Sequence, residues 1–141
     1  MSVKQISAFV ENKPGQLAKF TDVLTQHGVD MRALSLAETE DFGIVRIITD
    51  DSYKTACVLK DAGYIFSITP VIAVAIPDTP GGLNKVLHLL DEKNINVEYT
   101  YAFTARKQDT AYMIFRVTDN EAATAVLKEN GISMLDLDDI D

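Results

Sequence analysis

Displaced by 66 residues against itself, the sequence aligns Pro14-Gly15-Gln16-Leu17 with Pro80-Gly81-Gly82-Leu83. The same displacement matches Lys19 with Lys85 and Leu24 with Leu90, and sets Gly28-Val29-Asp30 against Asn94-Ile95-Asn96. Further along, Thr49-Asp50 match Thr118-Asp119, and Val58-Leu59-Lys60 with Gly63 match Val126-Leu127-Lys128 with Gly131. These later matches need displacements of 69 and 68, so identity alone implies an insertion of three residues and then a deletion of one. A fixed period of this length constrains the fold more than any composition does, because each copy must be one supersecondary unit used twice. The copies meet near Thr69-Pro70, which sets the expected domains at 1–68 and 70–141.

Each copy reads as strand, helix, strand, strand, helix, strand. Ile6, Ala8 and Val10 alternate as one face of a strand, and Leu17, Phe20 and Leu24 follow at helical spacing. Pro14 is expected in that helix's first turn, where a missing N–H costs nothing, and Gly28 at its C-cap. Met31 to Thr39 and Ile44 to Thr49 read as strands, then Asp50 or Asp51 caps a helix that turns Ala56 and Leu59 inward and stops at Gly63. In the second copy Leu83, Val86, Leu87 and Leu90 give a helical apolar stripe. Val97, Tyr99, Tyr101 and Phe103 alternate with polar or small residues as on a half-buried strand, where an inward face and a pocket lined by Tyr99, Tyr101 and Phe103 explain the pattern equally well. A hairpin at Ala105 to Asp109 takes the inserted residues, and Asp119 opens a helix carrying Ala123, Val126 and Leu127 that ends at Gly131.

The expected fold class is therefore α+β: two ferredoxin-like βαββαβ sandwiches in tandem, each a four-stranded antiparallel sheet with two helices on one face. A unit of this size buries a marginal core by itself. Val71 to Ile76 is apolar on both strand faces, so pairing between copies or chains is expected, and with it a homo-oligomer, a dimer first.

Composition narrows the function. A hydrophobic fraction of 47% with 24% charged residues excludes wholesale disorder. The formal net charge of −8 argues against duplex nucleic acid and acidic membrane surfaces, both of which call for a basic face. No apolar run approaches the roughly 20 residues of a membrane span, and the N-terminus lacks a signal peptide's apolar core, so a cytoplasmic protein is expected. Cys57 is the single cysteine, and neither His27 nor His88 has a second ligand at metal spacing, so no metal and no cofactor is expected. Nucleophile elbows, phosphate-binding loops and dinucleotide fingerprints are absent, and the chain does not read as an enzyme.

Useful chemistry concentrates where the first strand of each copy meets its first helix. In Val10-Glu11-Asn12-Lys13-Pro14-Gly15-Gln16-Leu17 and Ile76-Pro77-Asp78-Thr79-Pro80-Gly81-Gly82-Leu83, glycine lies at a helix start. There the unpaired N–H groups and the helix dipole favour an anion such as a carboxylate, and a missing Cβ permits close approach. Asn12 and Asp78 hold equivalent positions just before that turn, where a plain helix cap is the competing role.

This pattern resembles the ACT domain: a strand, the Asx-x-Pro-Gly-x-Leu turn, an amphipathic helix, then Gly28-Val29-Asp30-Met31 or Asn94-Ile95-Asn96-Val97 entering a strand. The resemblance covers essentially the whole chain as two tandem ACT domains with no attached catalytic domain. It implies a regulatory module that binds amino acids or other small ligands, each ligand lying between paired domains. The resemblance implies that the turn of one domain and the second-strand start of its neighbour make the contacts. Carried over by position, the candidates are Asn12, Gly15, Leu17, Asp30 and Met31 in the first copy, and Asp78, Gly81, Leu83, Asn96 and Val97 in the second.

The copies exchange residue types at these positions. Loop-to-strand pairing would set Asn12 against Asn96, offering donors and acceptors to a zwitterion. It would set Asp78 against Asp30, a two-acceptor site that suits a cation or holds a proton. Two unequal sites follow. The partners expected are a free amino acid, a second copy and, in the alternative reading, a separate biosynthetic enzyme that the chain regulates in trans. Arg46 and Arg116, one place apart between the copies, read as solvent-facing strand charges, Cys57 as a packed thiol, His27 as a cation at a helix end, and Asp136 to Asp141 as a solvated acidic tail.

Overall fold

A computed structural model describes residues 3–103 and 108–135. The elements follow the order β1 (Val3–Glu11), α1 (Gln16–Gln26), β2 (Met31–Glu38), β3 (Phe42–Thr49), α2 (Ser52–Asp61), β4 (Phe66–Pro77), α3 (Gly82–Glu92), β5 (Val97–Ala102), β6 (Thr110–Val117), α4 (Asn120–Glu129) and β7 (Ser133–Met134). Lys4–Thr69 forms one compact unit, and Pro70–Asp141 with Met1–Val3 forms the other. β4 gives its opening residues to the first unit and the rest to the second. Strand order is β2-β3-β1-β4 in the first unit and β5-β6-β4 with β7 beside β4 in the second. The fold is the tandem pair of βαββαβ sandwiches that the repeat implies.

Burial follows the periodicities. Ile6, Ala8 and Val10 stand opposite Ile47, Val45 and Gly43 in the β1–β3 ladder, and the apolar members of that face meet Phe20, Leu24, Val58 and Leu59 of the two helices. In the second unit Ile72, Val74, Ile76, Phe115 and Val117 face Val86, Leu90, Ala123, Val126 and Leu127.

The fold also corrects the alignment of the copies. Asp51 and Asp119 are the N-caps of α2 and α4, their carboxylates accepting the N–H groups of Lys54 and Ala122 at 3.0 Å. β2 opens with Met31 opposite Thr49, and β5 with Val97 opposite Val117. Identity matching sets Asp119 against Asp50, whereas structure sets it against Asp51. One displacement of 68 residues then holds from β3 onward, and the second copy gains two residues net between its second and third strands. Arg46 and Arg116 are accordingly two places apart. Most of the expected hairpin at 105–109, and the acidic tail from 136, lie outside the described residues. Removing either cap, by Asp51→Ala or Asp119→Ala, is expected to cost about 1 kcal/mol each in denaturant unfolding.

The four helices among the described residues end alike. In α1 the Gly28 N–H donates to Thr25 O at 3.1 Å and the Val29 N–H to Leu24 O at 3.0 Å, the paired bonds of a Schellman motif. Gly63, Asn94 and Gly131 close the other three with the same pairs of bonds. Asn94 does so at φ 57°, a left-handed conformation that asparagine tolerates.

Two other expectations change. A register shift between Val97 and Tyr99 leaves Val97 packed on the core but sets Tyr99 and Tyr101 opposite Arg116 and Ile114, on the sheet face away from the helices. The bulge reverses the alternation, so these tyrosines are not an inward stripe. Val71 and Ala73 are buried within a single chain, so the two-faced apolar strand does not by itself demand a second copy. Large apolar side chains are exposed elsewhere: among the described residues all of them, Phe9, Leu34, Leu36, Phe42, Tyr53, Ile65 and Ile68, belong to the first unit.

Candidate functional site

The strand-to-helix junction is a tight turn in both units. Lys13-Pro14-Gly15-Gln16 closes through the Gln16 N–H to Lys13 O at 3.3 Å, and Thr79-Pro80-Gly81-Gly82 through the Gly82 N–H to Thr79 O at 3.0 Å. Gly15 has φ 85° and ψ −12°, and Gly81 φ 87° and ψ −5°, the third-position geometry of a type II turn. Proline presets the second position and glycine alone accepts the third without strain, which explains the repeated Pro-Gly. The prolines therefore precede the helices rather than start them, and Gly15 and Gly81 are the N-caps. One consequence is chemical. The first helical N–H of α1 and of α3 is already spent on the turn.

The carbonyl of the β2–β3 turn ties down the segment before α1. Asn12 is the donor to three carbonyls of that turn: its backbone N–H donates to Asp41 O at 2.9 Å, and its Nδ2 to Thr39 O at 3.0 Å and Glu40 O at 3.5 Å. Asp78 repeats the backbone bond, to Asp109 O at 3.0 Å. The Asn12 amide nitrogen is thus committed to its own unit, and what it offers outward is its carbonyl oxygen.

Asp30 lies just before β2. Its backbone N–H donates to Asp50 Oδ1 at 3.1 Å, and its Oδ2 is ion-paired with Arg32 at 3.2 Å. The Arg32 side chain is only 13% exposed, held at the register shift between Met31 and Ala33. Arg32 was not legible as a site neighbour, since a bulge decides where it points. Its charge offsets that of Asp30, so the two-acceptor argument for an Asp78–Asp30 site loses one of its charges. In the second unit Glu98 takes the Arg32 position and pairs with Arg116 at 3.1 Å.

Met31, Leu17, Val97 and Leu83 are half-buried and pack against the cores of their own units. Register separates the two halves of each candidate site. Met31 stands opposite Thr49, while Glu11, just before Asn12, stands opposite Phe42 at the far end of the same ladder. Val97 opposite Val117 and Pro77 opposite Thr110 repeat the arrangement. At about 3.4 Å per residue, the turn and the second-strand start of one unit are roughly 25 Å apart. Neither unit brings its own two halves together.

Beside a hollow of about 440 Å³ lined by Phe9, Thr39, Phe42, Ile44 and Ile65, three more open around the turns among the described residues. One of about 70 Å³ in the first unit collects Asn12, Lys13, Leu17, Leu36 and Glu38. Another, of about 220 Å³, lies beside Phe9, Gln16, Phe42, Tyr64 and Ile65. There Tyr64 stacks edge-on against Phe20 at 5.1 Å, and burial pushes its phenol above the ordinary tyrosine pKa. The third, of about 540 Å³, lies in the second unit and includes Gly81 among the predicted residues. It also draws in Lys85, Asp109, Thr110, Asn130 and Ser133, which sequence reasoning missed because they converge from separate elements.

Remaining candidates take structural roles. His27 caps α1 and its Nδ1 donates to Val23 O at 2.8 Å. Cys57 is exposed on α2 rather than packed. Among the described residues no group of three or more His, Cys, Asp or Glu side chains is placed to hold a metal ion, and no helix is long and apolar enough to cross a membrane.

Comparison with known proteins places this geometry. Protein BT0572 from Bacteroides thetaiotaomicron has a similar structure, with 36% identity, a TM-score of 0.92, and coverage of 99% of this chain and 96% of that one. The regulatory subunit of aspartate kinase from Thermus thermophilus, in its ligand-free form, shares the fold at a TM-score of 0.68 and 16% identity, over 89% of this chain and 91% of that one. The corresponding subunit from Thermus flavus does so at 0.64 and 18%, over 89% and 88%. No curated protein sequence matches the chain. The sequence profile of the ACT domain pair matches residues 1–141, and the chain therefore belongs to the ACT domain family as a tandem pair.

Proposed function

We propose that this chain is a non-enzymatic regulatory protein that binds a free amino acid where ACT domains pair. The observation that carries the reading is the Asx-x-Pro-Gly turn, built identically at the strand-to-helix junction of both units of an ACT domain pair. Because the turn and the second-strand start of one unit are roughly 25 Å apart, a site using both draws its second half from another domain. Asn12, Gly15 and Leu17, or Asp78, Gly81 and Leu83, supply the turn side. Asp30 and Met31, or Asn96 and Val97, supply the strand side. Binding would favour the paired arrangement by the ligand's differential affinity for it.

A thermal-shift screen against the twenty amino acids tests this. A melting point that rises with the concentration of one of them is the expected result. A flat screen sinks the reading. Asn12→Ala is expected to abolish the shift, since it removes the carbonyl oxygen presented by the turn and the bonds that hold the turn.

The exposed apolar residues of the first unit favour a second reading, a regulatory subunit acting in trans on a separate amino-acid biosynthetic enzyme. Recovery of that enzyme in stoichiometric amount with the tagged chain supports it. A lone dimer that responds to an amino acid and recovers no enzyme removes it.

A further inference from the structure

Strand β2 is the outer edge of the first unit's sheet: among the described residues it pairs with β3 and with no other strand. The Thr39 N–H donates to Phe42 O at 2.7 Å, so the odd-numbered residues from Ala33 to Thr39 bond to β3. Leu34, Leu36 and Glu38 therefore turn their backbone groups outward. A free edge is ordinarily guarded by a charge, a proline or a bulge. Here the bulge lies at the start, before Ala33, and the run from Ala33 to Ala37 has neither charge nor proline. It carries instead two leucines, 40% and 47% exposed, on the helix-facing side of the sheet opposite Ile47 and Val45.

The second unit shows that the fold does not require them. Its edge is β5, where Thr100 and Ala102 take the places of Leu34 and Leu36, opposite Phe115 and Met113. The Thr100 hydroxyl is already spent on Ile114 O at 2.8 Å.

The sequence of β2 reads nearly the same from both ends. About Ser35, Leu34 mirrors Leu36, Ala33 mirrors Ala37, and Arg32 mirrors Glu38 with the opposite charge. Antiparallel strands related by a two-fold axis pair in this way, each residue with its mirror on the other copy. The outward backbone groups of two identical strands must meet even to even, which puts the axis on a residue. An axis at Leu34 sets Asp30 against Glu38, and one at Leu36 sets Leu34 against Glu38. Of these three central residues, Ser35 alone places leucine on leucine and Arg32 toward Glu38.

We infer that two copies of this chain pair along β2 about a two-fold axis at Ser35, extending the first unit's sheet across the interface. Leu34 lies against Leu36 of the partner subunit, and their backbones exchange N–H and C=O bonds. Arg32, which holds Asp30 at 3.2 Å, reaches toward Glu38 of the partner subunit. The same register brings Asp30 and Met31 of the partner subunit beside Thr39 and Glu40, whose carbonyls hold the Asn12 side chain. Two segments roughly 25 Å apart in one copy thereby meet across the axis. The pairing rests on the strand itself and not on the amino-acid reading above.

Sedimentation velocity of the intact chain is expected to show a dimer. Leu36→Lys is expected to raise its dissociation constant about 100-fold, about tenfold for each of the two added charges at the interface. Ala102→Lys, the same change at the second unit's edge, should leave it unaltered. Ser35→Cys, made with Cys57→Ser, reads the register: facing residues at a non-hydrogen-bonded position have Cα atoms about 4.5 Å apart, within disulfide reach. Oxidation in air with copper phenanthroline should link the chains there. Ala33→Cys in the same background, about 14 Å from its own copy across the axis, should stay unlinked. Ser35→Cys adds little bulk, so it decides the case should Leu36→Lys melt early. A monomeric chain, a dimer weakened by Ala102→Lys and untouched by Leu36→Lys, or linkage in Ala33→Cys without Ser35→Cys overturns the inference. A dimer linked through Ser35→Cys that responds to no amino acid keeps the pairing and removes the amino-acid reading alone.

Discussion

Phe20→Ala is expected to lower the stability of the first unit by about 3–5 kcal/mol. Phe20 is fully buried at the centre of that unit's core, its ring against the edge of Tyr64 at 5.1 Å. Removing it deletes the transfer free energy of the ring, the edge-to-face contact, and whatever packing the cavity cannot recover. A domain of this size has only about 5 kcal/mol or so to lose, so the unit should be largely unfolded at physiological temperature. The repeat supplies the comparison: Val86 occupies the same place in α3 and is equally buried, but offers fewer atoms. Val86→Ala should cost about 2 kcal/mol. Urea unfolding followed by circular dichroism reads both. A loss below about 1 kcal/mol in Phe20→Ala would mean that Tyr64 and Val23 collapse into the space.

Gly82→Ala is the second large effect. Gly82 opens α3, and a Cβ there would be driven into the backbone carbonyl oxygen of Pro77. No flexible side chain can yield, so the β4–α3 junction itself must move, at about 1–3 kcal/mol. Gly81→Ala acts differently: the space beside it is open, and its cost comes from φ 87°, about 1–2 kcal/mol. Gly81 and Gly82 both line the hollow of the second unit, so the larger backbone displacement in Gly82→Ala should also weaken amino-acid binding more than Gly81→Ala does. Unchanged stability in Gly82→Ala would show that the junction relaxes freely.

Much of this architecture was legible in the residues. Ile6, Ala8 and Val10 announce a strand by alternation, and Leu83, Val86, Leu87 and Leu90 a helix by spacing, because an inward face must recur at the period of its element. Pro14-Gly15 and Pro80-Gly81 announce a turn, because few other pairs satisfy its dihedrals. Asp119 was legible as a cap, and Asp51 as one of two neighbouring aspartates that could serve.

Local pattern thus determined the elements, their order and the tandem plan. Tertiary structure decided the rest, because it depends on register and on residues far apart in the chain. The bulge after Val97 turned Tyr99 and Tyr101 to the outer face, and the one after Met31 set Arg32 beside Asp30. The strand ladders put the two halves of each candidate site at opposite sheet ends. Lys85, Asp109, Thr110, Asn130 and Ser133 line one hollow only after three separate stretches of chain have folded together, and no spacing along a chain encodes that convergence.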